Sequence, residues 1–406
     1  MDASAQARLE ALLAEPAIAT LIQALSPAGE ETRIVGGAVR NALLGVAADD
    51  VDLATTLKPE ETLRRGESIG WKAIPTGIEH GTITLLNAGR SYEVTTLRRD
   101  IETDGRHARV VFGRDFQEDA ARRDFTINAM SLGVRGHLFD YFDGAADLAA
   151  RRVRFIGNPE TRLREDYLRG LRFLRFSARY GKGGLDSDGL AAMIALQDGF
   201  AGLSRERVRQ EVLKLLMAPM VIPVLAEADG VGLLSVLLGL PADLPRFAAR
   251  ATLQGRLGHV EWPPLARLAA LLPSSQLTEA NLQDRLRLSK DEMRWLAQLA
   301  AAESLIKADV SHLASRLVMT APEAAAEALR LAASRQADPD GLLALVSVIA
   351  THPRFLLSGR DLLAAGWQPG PALGAKLAAL IEMWILAGAP EGEADQRRLL
   401  AQFLAR

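Results

Sequence analysis

Not one cysteine occurs in the 406 residues, which excludes disulfides, thiolate nucleophiles and cysteine-ligated metals. Charge of one sign is missing as well. The 48 Lys and Arg stand against 50 Asp and Glu, a formal net charge of −2, so no uniformly basic coat awaits a nucleic acid and any such contact must come from a local patch. Long apolar runs are absent too. The longest, such as Leu342 to Ala350 with Ser347 inside it, fall far short of a membrane span. The opening Met-Asp-Ala-Ser-Ala-Gln-Ala-Arg lacks the basic-then-apolar order of a signal peptide. A soluble cytoplasmic protein with no membrane partner is the expectation. What is present is ordinary for a globular chain, 49% apolar and 24% charged, but its length points to two to four domains.

Composition shifts along the chain. Between about Arg33 and Phe142, β-branched runs punctuated by glycine predict strands at Arg33–Val35, Asp50–Leu53, Lys72–Ile74, Thr82–Leu86 and Tyr92–Thr96. Asn87-Ala88-Gly89-Arg90 reads as a hairpin turn between the last two. From about Arg151 onward, Leu/Ala-rich stretches with a 3.6-residue period take over. A mixed α/β head followed by an all-helical remainder is expected, with the chemistry concentrated in the head.

Ile34-Val35-Gly36-Gly37-Ala38-Val39-Arg40 reads as a short strand, a paired-glycine turn and a helix through Leu44. Glycines let backbone approach a phosphate, and a helix N-terminus offers free N–H groups to it; alone, such a pair is more often simply a tight turn. About ten residues later, Asp50-Val51-Asp52 places two carboxylates on one side of a strand. Adjacent carboxylates repel unless a cation intervenes, and Mg²⁺ favours a few carboxylates completed by water and phosphate oxygens. A polar strand end is the other reading, but the neighbouring glycine turn favours a phosphate-and-metal site. Glu93, on a later strand, is a candidate third carboxylate or an exposed strand glutamate. Arg122-Arg123-Asp124-Phe125-Thr126-Ile127-Asn128-Ala129 is expected at the start of a helix, with arginine forks suited to phosphate.

In Arg164-Glu165-Asp166-Tyr167-Leu168-Arg169, helical spacing predicts Glu165, Asp166 and Arg169 on one helix face. Arg172, Arg175 and Arg179 continue it as a basic stripe. From Arg151 to Lys182 there are ten Lys/Arg and three Asp/Glu, a local excess of seven in a nearly neutral chain. A salt-bridged amphipathic helix has the same pattern.

Together the motifs resemble the class II tRNA nucleotidyltransferase and bacterial poly(A) polymerase family in order and spacing. Leu203-Ser204-Arg205-Glu206-Arg207-Val208-Arg209-Gln210-Glu211 looks like its fifth motif, and Leu357 through Pro371 like its tail region. One departure is Asn41, where the family usually has Asp.

The resemblance implies an α+β fold: a nucleotidyltransferase head with a small mixed β-sheet flanked by helices (1–150), then a helical neck (151–220), body (221–345) and tail (346–406). Asp50 and Asp52 would hold two Mg²⁺ ions, with Glu93 beside them. Gly36, Gly37, Arg40 and Arg122 would hold the triphosphate of CTP or ATP. Asp166 and Arg169, the latter oriented by Glu165, would read the base edge. Asn128, Arg172 and Arg175 would contact nucleotide or RNA. A carboxylate accepts from the exocyclic amino group of cytosine or adenine, whereas uracil and guanine present a carbonyl there.

The implied reaction is addition of C, C and A to the tRNA 3′ end at the acceptor stem, without a nucleic-acid template. Pro75–Thr82 looks like the version found in CCA-adding members, and Arg98–Gly113, with Asp104, Arg106 and His107, resembles their flexible loop. The competing readings are a poly(A) polymerase, a CC- or A-adding relative, and, in a different class, a catalytically inactive RNA-binding protein. None of the six histidines precedes an aspartate, so a His-Asp phosphohydrolase domain is not expected.

Overall fold

The computed structural model describes residues 3–47, 50–103, 108–258, 260–308 and 311–405. They form two compact units, Met1–Leu237 and Leu238–Arg406.

The first unit opens with two helices, α1 (Ala3–Leu13) and α2 (Pro16–Leu25), and continues β1 (Thr32–Val35), α3 (Gly37–Leu44), β2 (Val51–Thr55), α4 (Pro59–Ser68), β3 (Lys72–Gly77), β4 (Thr82–Asn87) and β5 (Arg90–Thr96). Then come β6 (Arg98–Thr103), β7 (Ala108–Phe112), α5 (Phe116–Ala121), β8 (Ser131–Gly133), β9 (Leu138–Phe139) and α6 (Gly144–Ala149). Seven strands make one mixed sheet in the order β3-β4-β5-β2-β1-β8-β9, parallel only between β2 and β5. The mixed head sheet and the helical remainder match the expected fold class.

Local chemistry accounts for these elements. β4 and β5 are joined by Ala88 and Gly89, both at positive φ (48° and 80°), the two-residue turn whose twist suits a hairpin. Ile34, Leu53, Ile83 and Val94 are fully buried or nearly so along the sheet, and α2 meets it with Ile18, Leu21, Ile22 and Leu25 at 0–1% exposure. Each such side chain contributes about 2 kcal/mol of burial. The loop expected at Arg98–Gly113 is instead a two-stranded ladder of β6 and β7, with Arg98 opposite Phe112. Asp104, Arg106 and His107 lie outside the described residues.

The rest of this unit is helical: α7 (Pro159–Glu165), α8 (Leu168–Tyr180), α9 (Ser187–Ala195), α10 (Arg205–Leu216) and α11 (Val221–Gly230). Helix α8 is locked to the head by an aromatic cluster in which Phe125 lies 5.0 Å from Phe155 and 5.3 Å from Phe176, and Phe155 5.2 Å from Phe173. The second unit contains only helices among its described regular elements, from Leu244–Leu257 to Glu393–Leu404. Fully buried in it is the Arg250–Glu327 ion pair, with Nε–Oε1 at 2.8 Å and Nη2–Oε2 at 3.1 Å. Among the described residues no helix is long and apolar enough to cross a membrane.

Candidate active site

At the end of β1, Gly36 turns at φ 67°, a conformation open to glycine, and caps α3. Its N–H donates to the Met130 carbonyl (3.1 Å). A methyl group here would meet Arg123 Nη1 at 2.8 Å. The first N–H groups of α3 have no partner within their own helix, and they open on a cleft of about 870 Å³ that Gly36 and Gly37 line.

Asp50 and Asp52 line the same cleft. Val51 and Leu53 point into the core, so Asp52 faces outward, and Asp50, two residues earlier, follows it. Across the parallel pairing Asp52 stands opposite Glu93, which does not itself line the cleft. The Asp52 carboxyl is raised above its ordinary range, first because the surrounding protein strips part of its hydration, then through repulsion by Glu93 and Asp50; Arg123 opposes this. Among the described residues no three His, Cys, Asp or Glu side chains form a ready metal cage. Two crowded carboxylates with an unsatisfied demand for positive charge nevertheless fit Mg²⁺, which takes its other ligands from water and phosphate.

Facing the carboxylates is a set of arginines, most of them already partnered. Arg122–Ala129 does not begin a helix. It follows the end of α5 and includes a single 3₁₀ turn, Thr126–Asn128. Asp119, three and four residues before the arginine pair, receives Arg122 (Nη2–Oδ1 2.5 Å) and Arg123 (Nη2–Oδ2 3.2 Å) and fixes both at the end of α5. Burial alone would raise Asp119, yet Arg123 and Arg122 outweigh it and hold its carboxyl low.

Asp124 is buried among four donors. Oδ2 accepts from Arg172 Nε (2.8 Å) and Nη2 (2.5 Å), and Oδ1 from Asn128 Nδ2 (3.0 Å) and the Phe125 N–H (2.9 Å). Burial opposes ionisation there too, and Arg172 foremost overcomes it, so the carboxyl lies below its usual range. Asn128 passes the constraint on, its Oδ1 accepting from Arg40 Nη1. Arg40 is buried, donates from Nη2 to Asn41 Oδ1 (3.0 Å), and lies 4.1 Å over the Tyr180 ring. Burial pulls its guanidinium pKa down. Neither Arg40 nor Lys214, another cleft residue, has an ion-pair partner among the described residues.

Glu165, Asp166 and Arg169 do not share one helix. Asp166 breaks the chain between α7 and α8 in an extended conformation (φ −156°, ψ 106°), because its Oδ1 accepts the Leu168 N–H (3.0 Å) and starts a new helix. Arg169 still pairs with Glu165, which also holds Arg162 (2.9 Å). The basic stripe is largely neutralised: Arg172 by Asp124, and Arg175 by Glu211 on α10 (2.5 Å). Asp166, Arg169, Arg172 and Arg175 line the cleft with Asp50 and Asp52; Glu165 stands behind Arg169.

Residues 32–154 match the family described as "Poly A polymerase head domain". Beyond the head, the chain is 38% identical over 363 residues to "CCA tRNA nucleotidyltransferase 1, mitochondrial" of Danio rerio, covering 87% of this chain and 83% of that protein. It is 34% identical over 379 residues to the "CCA-adding enzyme" of Levilactobacillus brevis, covering 88% and 90%. The chain belongs to the CCA tRNA nucleotidyltransferase family. A crystal structure of the Bacillus stearothermophilus CCA-adding enzyme in complex with CTP superposes with a TM-score of 0.68 at 27% identity, covering 99% of this chain and 98% of that one.

For a CCA tRNA nucleotidyltransferase of this family, the Asn41 departure now has a physical content. Asn41 keeps the hydrogen bond to Arg40 but brings no countercharge. Sequence reasoning missed Asp119 and Glu211 as the counterions of the site. Asp119 had a visible signal, its position three and four residues ahead of Arg122 and Arg123; Glu211, 36 residues from Arg175, had none beyond its place in the fifth motif.

Proposed function

We propose that this chain builds the CCA end of tRNA, adding C, C and A from CTP and ATP to the 3′ end at the acceptor stem in the cytoplasm. One observation carries the reading: a single cleft gathers the glycine turn, the carboxylates Asp50 and Asp52, and the Asp166/Arg169 pair. No binding role needs two facing carboxylates beside a phosphate cradle, which opposes an inactive RNA-binding protein.

In this reading Gly36, Gly37 and the first turn of α3 receive the triphosphate, with Arg40 and Arg122 donating to it. Asp166 accepts from the exocyclic amino group of cytosine or adenine, and Arg169 donates to the adjacent ring acceptor. Uracil and guanine set a carbonyl against the Asp166 carboxylate and are rejected. Asn128, Arg172 and Arg175 hold the wall against which nucleotide and RNA lie. Asp50 and Asp52 would hold two Mg²⁺ ions, with Glu93, opposite Asp52, adding to the negative field. Bound there, Mg²⁺ supplies activation of the 3′ hydroxyl and charge neutralisation on the leaving group. The 3′ oxygen forms a bond to the α-phosphorus as the bond to pyrophosphate breaks. Residues 1–150 serve as catalytic head, 151–220 as neck, 221–345 as body and 346–406 as tRNA-binding tail.

The test is single-nucleotide extension of tRNA transcripts ending before CCA, after C and after CC. Extension should stop at CCA, reject UTP and GTP, and vanish in Asp52→Ala with tRNA affinity retained. Long adenosine tracts would make the protein a poly(A) polymerase, a stop at CC a partial-activity relative, and full activity in Asp52→Ala would overturn the carboxylate assignment.

A further inference from the structure

The base-reading pair of the proposed function is held apart from two directions. Arg169 is engaged by Glu165 and by two backbone carbonyls, those of Arg162 (3.0 Å) and Arg122 (3.3 Å). Asp166, three residues earlier, accepts the Arg169 N–H at its backbone carbonyl (3.0 Å), but its carboxylate is paired elsewhere. Its Oδ1 takes the Leu168 N–H, and its Oδ2 takes Nη2 of Arg207 at 2.7 Å. Arg207 sits in the first turn of α10, whose N-terminus Ser204 caps by accepting the Arg207 N–H (3.5 Å). Arg207, Glu211 and Lys214 follow at spacings of four and three residues, which puts them on one face of α10. Glu211 fixes Arg175 and Lys214 lines the cleft, so that face looks toward the wall α8 gives the cleft.

We infer that Arg207 is a positioning residue for nucleotide selection: it holds the Asp166 carboxylate in its acceptor orientation and keeps it from closing on Arg169. The inference rests on the proposed function. A carboxylate and a guanidinium three residues apart around a helix start can reach one another, and paired together they would turn toward each other instead of toward a base. Arg207 prevents this by occupying one oxygen from outside while the Leu168 N–H occupies the other. Each oxygen keeps a second lone pair, and these remain for an exocyclic amino group. Arg207 touches no base; it acts through Asp166.

The experiment uses full-length protein and a tRNA transcript ending in C or CC. It compares wild type, Arg207→Gln, Arg207→Lys, Asp166→Asn and the double variant Arg207→Gln/Asp166→Asn, with kcat and KM determined separately for CTP, ATP and UTP. Loss of one charge-assisted hydrogen bond at a half-exposed position corresponds to a factor of about ten. Arg207→Gln is therefore expected to lower kcat/KM for CTP and ATP about tenfold and UTP much less, narrowing discrimination. Arg207→Lys, which keeps a cationic donor, should recover part of the loss even where Arg207→Gln folds poorly. In the Asp166→Asn background Arg207→Gln should have little further effect, the non-additivity of residues acting as a unit. An equal loss for all three nucleotides, or losses that multiply independently in the double variant, overturns the inference while leaving the function standing. A wild-type protein that extends no RNA overturns both.

Discussion

Asp124→Asn is the most informative perturbation of the head–helix junction, because the replacement has the same shape and the wrong chemistry. The carboxylate receives four donors: two from Arg172, one from Asn128 and one from the Phe125 N–H. An amide has one accepting oxygen and an NH₂ that only donates. Whichever way it flips, that NH₂ faces either Arg172 or the Asn128 amide and the Phe125 N–H, donor against donor. Breaking a buried ion pair costs about 3–5 kcal/mol, and the 33% exposure of Arg172 places the expected loss near the low end, about 3 kcal/mol. For a unit of this size each kcal/mol lowers the unfolding temperature by about 2–4 °C, so thermal unfolding should shift down by about 6–12 °C. Nucleotide binding should weaken in parallel, since Asn128 is the link between Asp124 and Arg40. A shift below about 2 °C would refute the reasoning: it would mean that Asp124 is hydrated and that its ring of donors adds nothing to the aromatic cluster in joining α8 to the head.

Further outcomes follow from other features. Asp119 and Asp124 both have depressed folded-state carboxyl pKa values; their contribution is full above the unfolded value of about 3.9 and is lost as pH falls through the folded values. Stability of the N-terminal unit should therefore drop on acidification below about pH 4, and Asp124→Asn should flatten that slope in acid-titrated denaturation curves. Gly36→Ala imposes a side chain at φ 67° and 2.8 Å from Arg123; nucleotide addition should fall at least about tenfold, with about 1–2 kcal/mol of stability lost, and wild-type kinetics would contradict the close-approach argument. Glu327→Gln removes the charge facing the fully buried Arg250, and denaturant titration should report a loss of about 3 kcal/mol in the C-terminal unit.

How much was legible in advance depends on how local the determining interactions are. The turn at Gly36, the helix after it and the Ala88-Gly89 hairpin are governed by residues within a few positions of one another, and composition reveals them. The β6–β7 ladder is not legible as strands, because its pairing register is set by partners up to fourteen residues apart, Arg98 and Phe112, and not by an apolar alternation. The basic stripe is legible as charge, and a salt-bridged helix fits the same pattern, but the partners that neutralise it are not legible. The carboxylates that answer Arg172 and Arg175 lie 48 and 36 residues away, and no periodicity links them. Asp166 illustrates a third limit. Helical spacing is a necessary condition for a shared face, but an aspartate side chain that captures the N–H two residues on competes with the helix, and here it ended one helix and began another.

The parallel pairing of β2 with β5 makes the acidic site a matter of odd and even. Asp52 meets Glu93 because β5 is counted in from a turn of two residues after β4. One residue added at Ala88-Gly89 would leave every side chain of β2 where it is and advance β5 by one step, bringing Tyr92 opposite Asp52 and sending the acid to the other side of the sheet. A turn outside the cleft is thus the place where an insertion would carry Glu93 away from Asp52 without altering a single residue of the cleft.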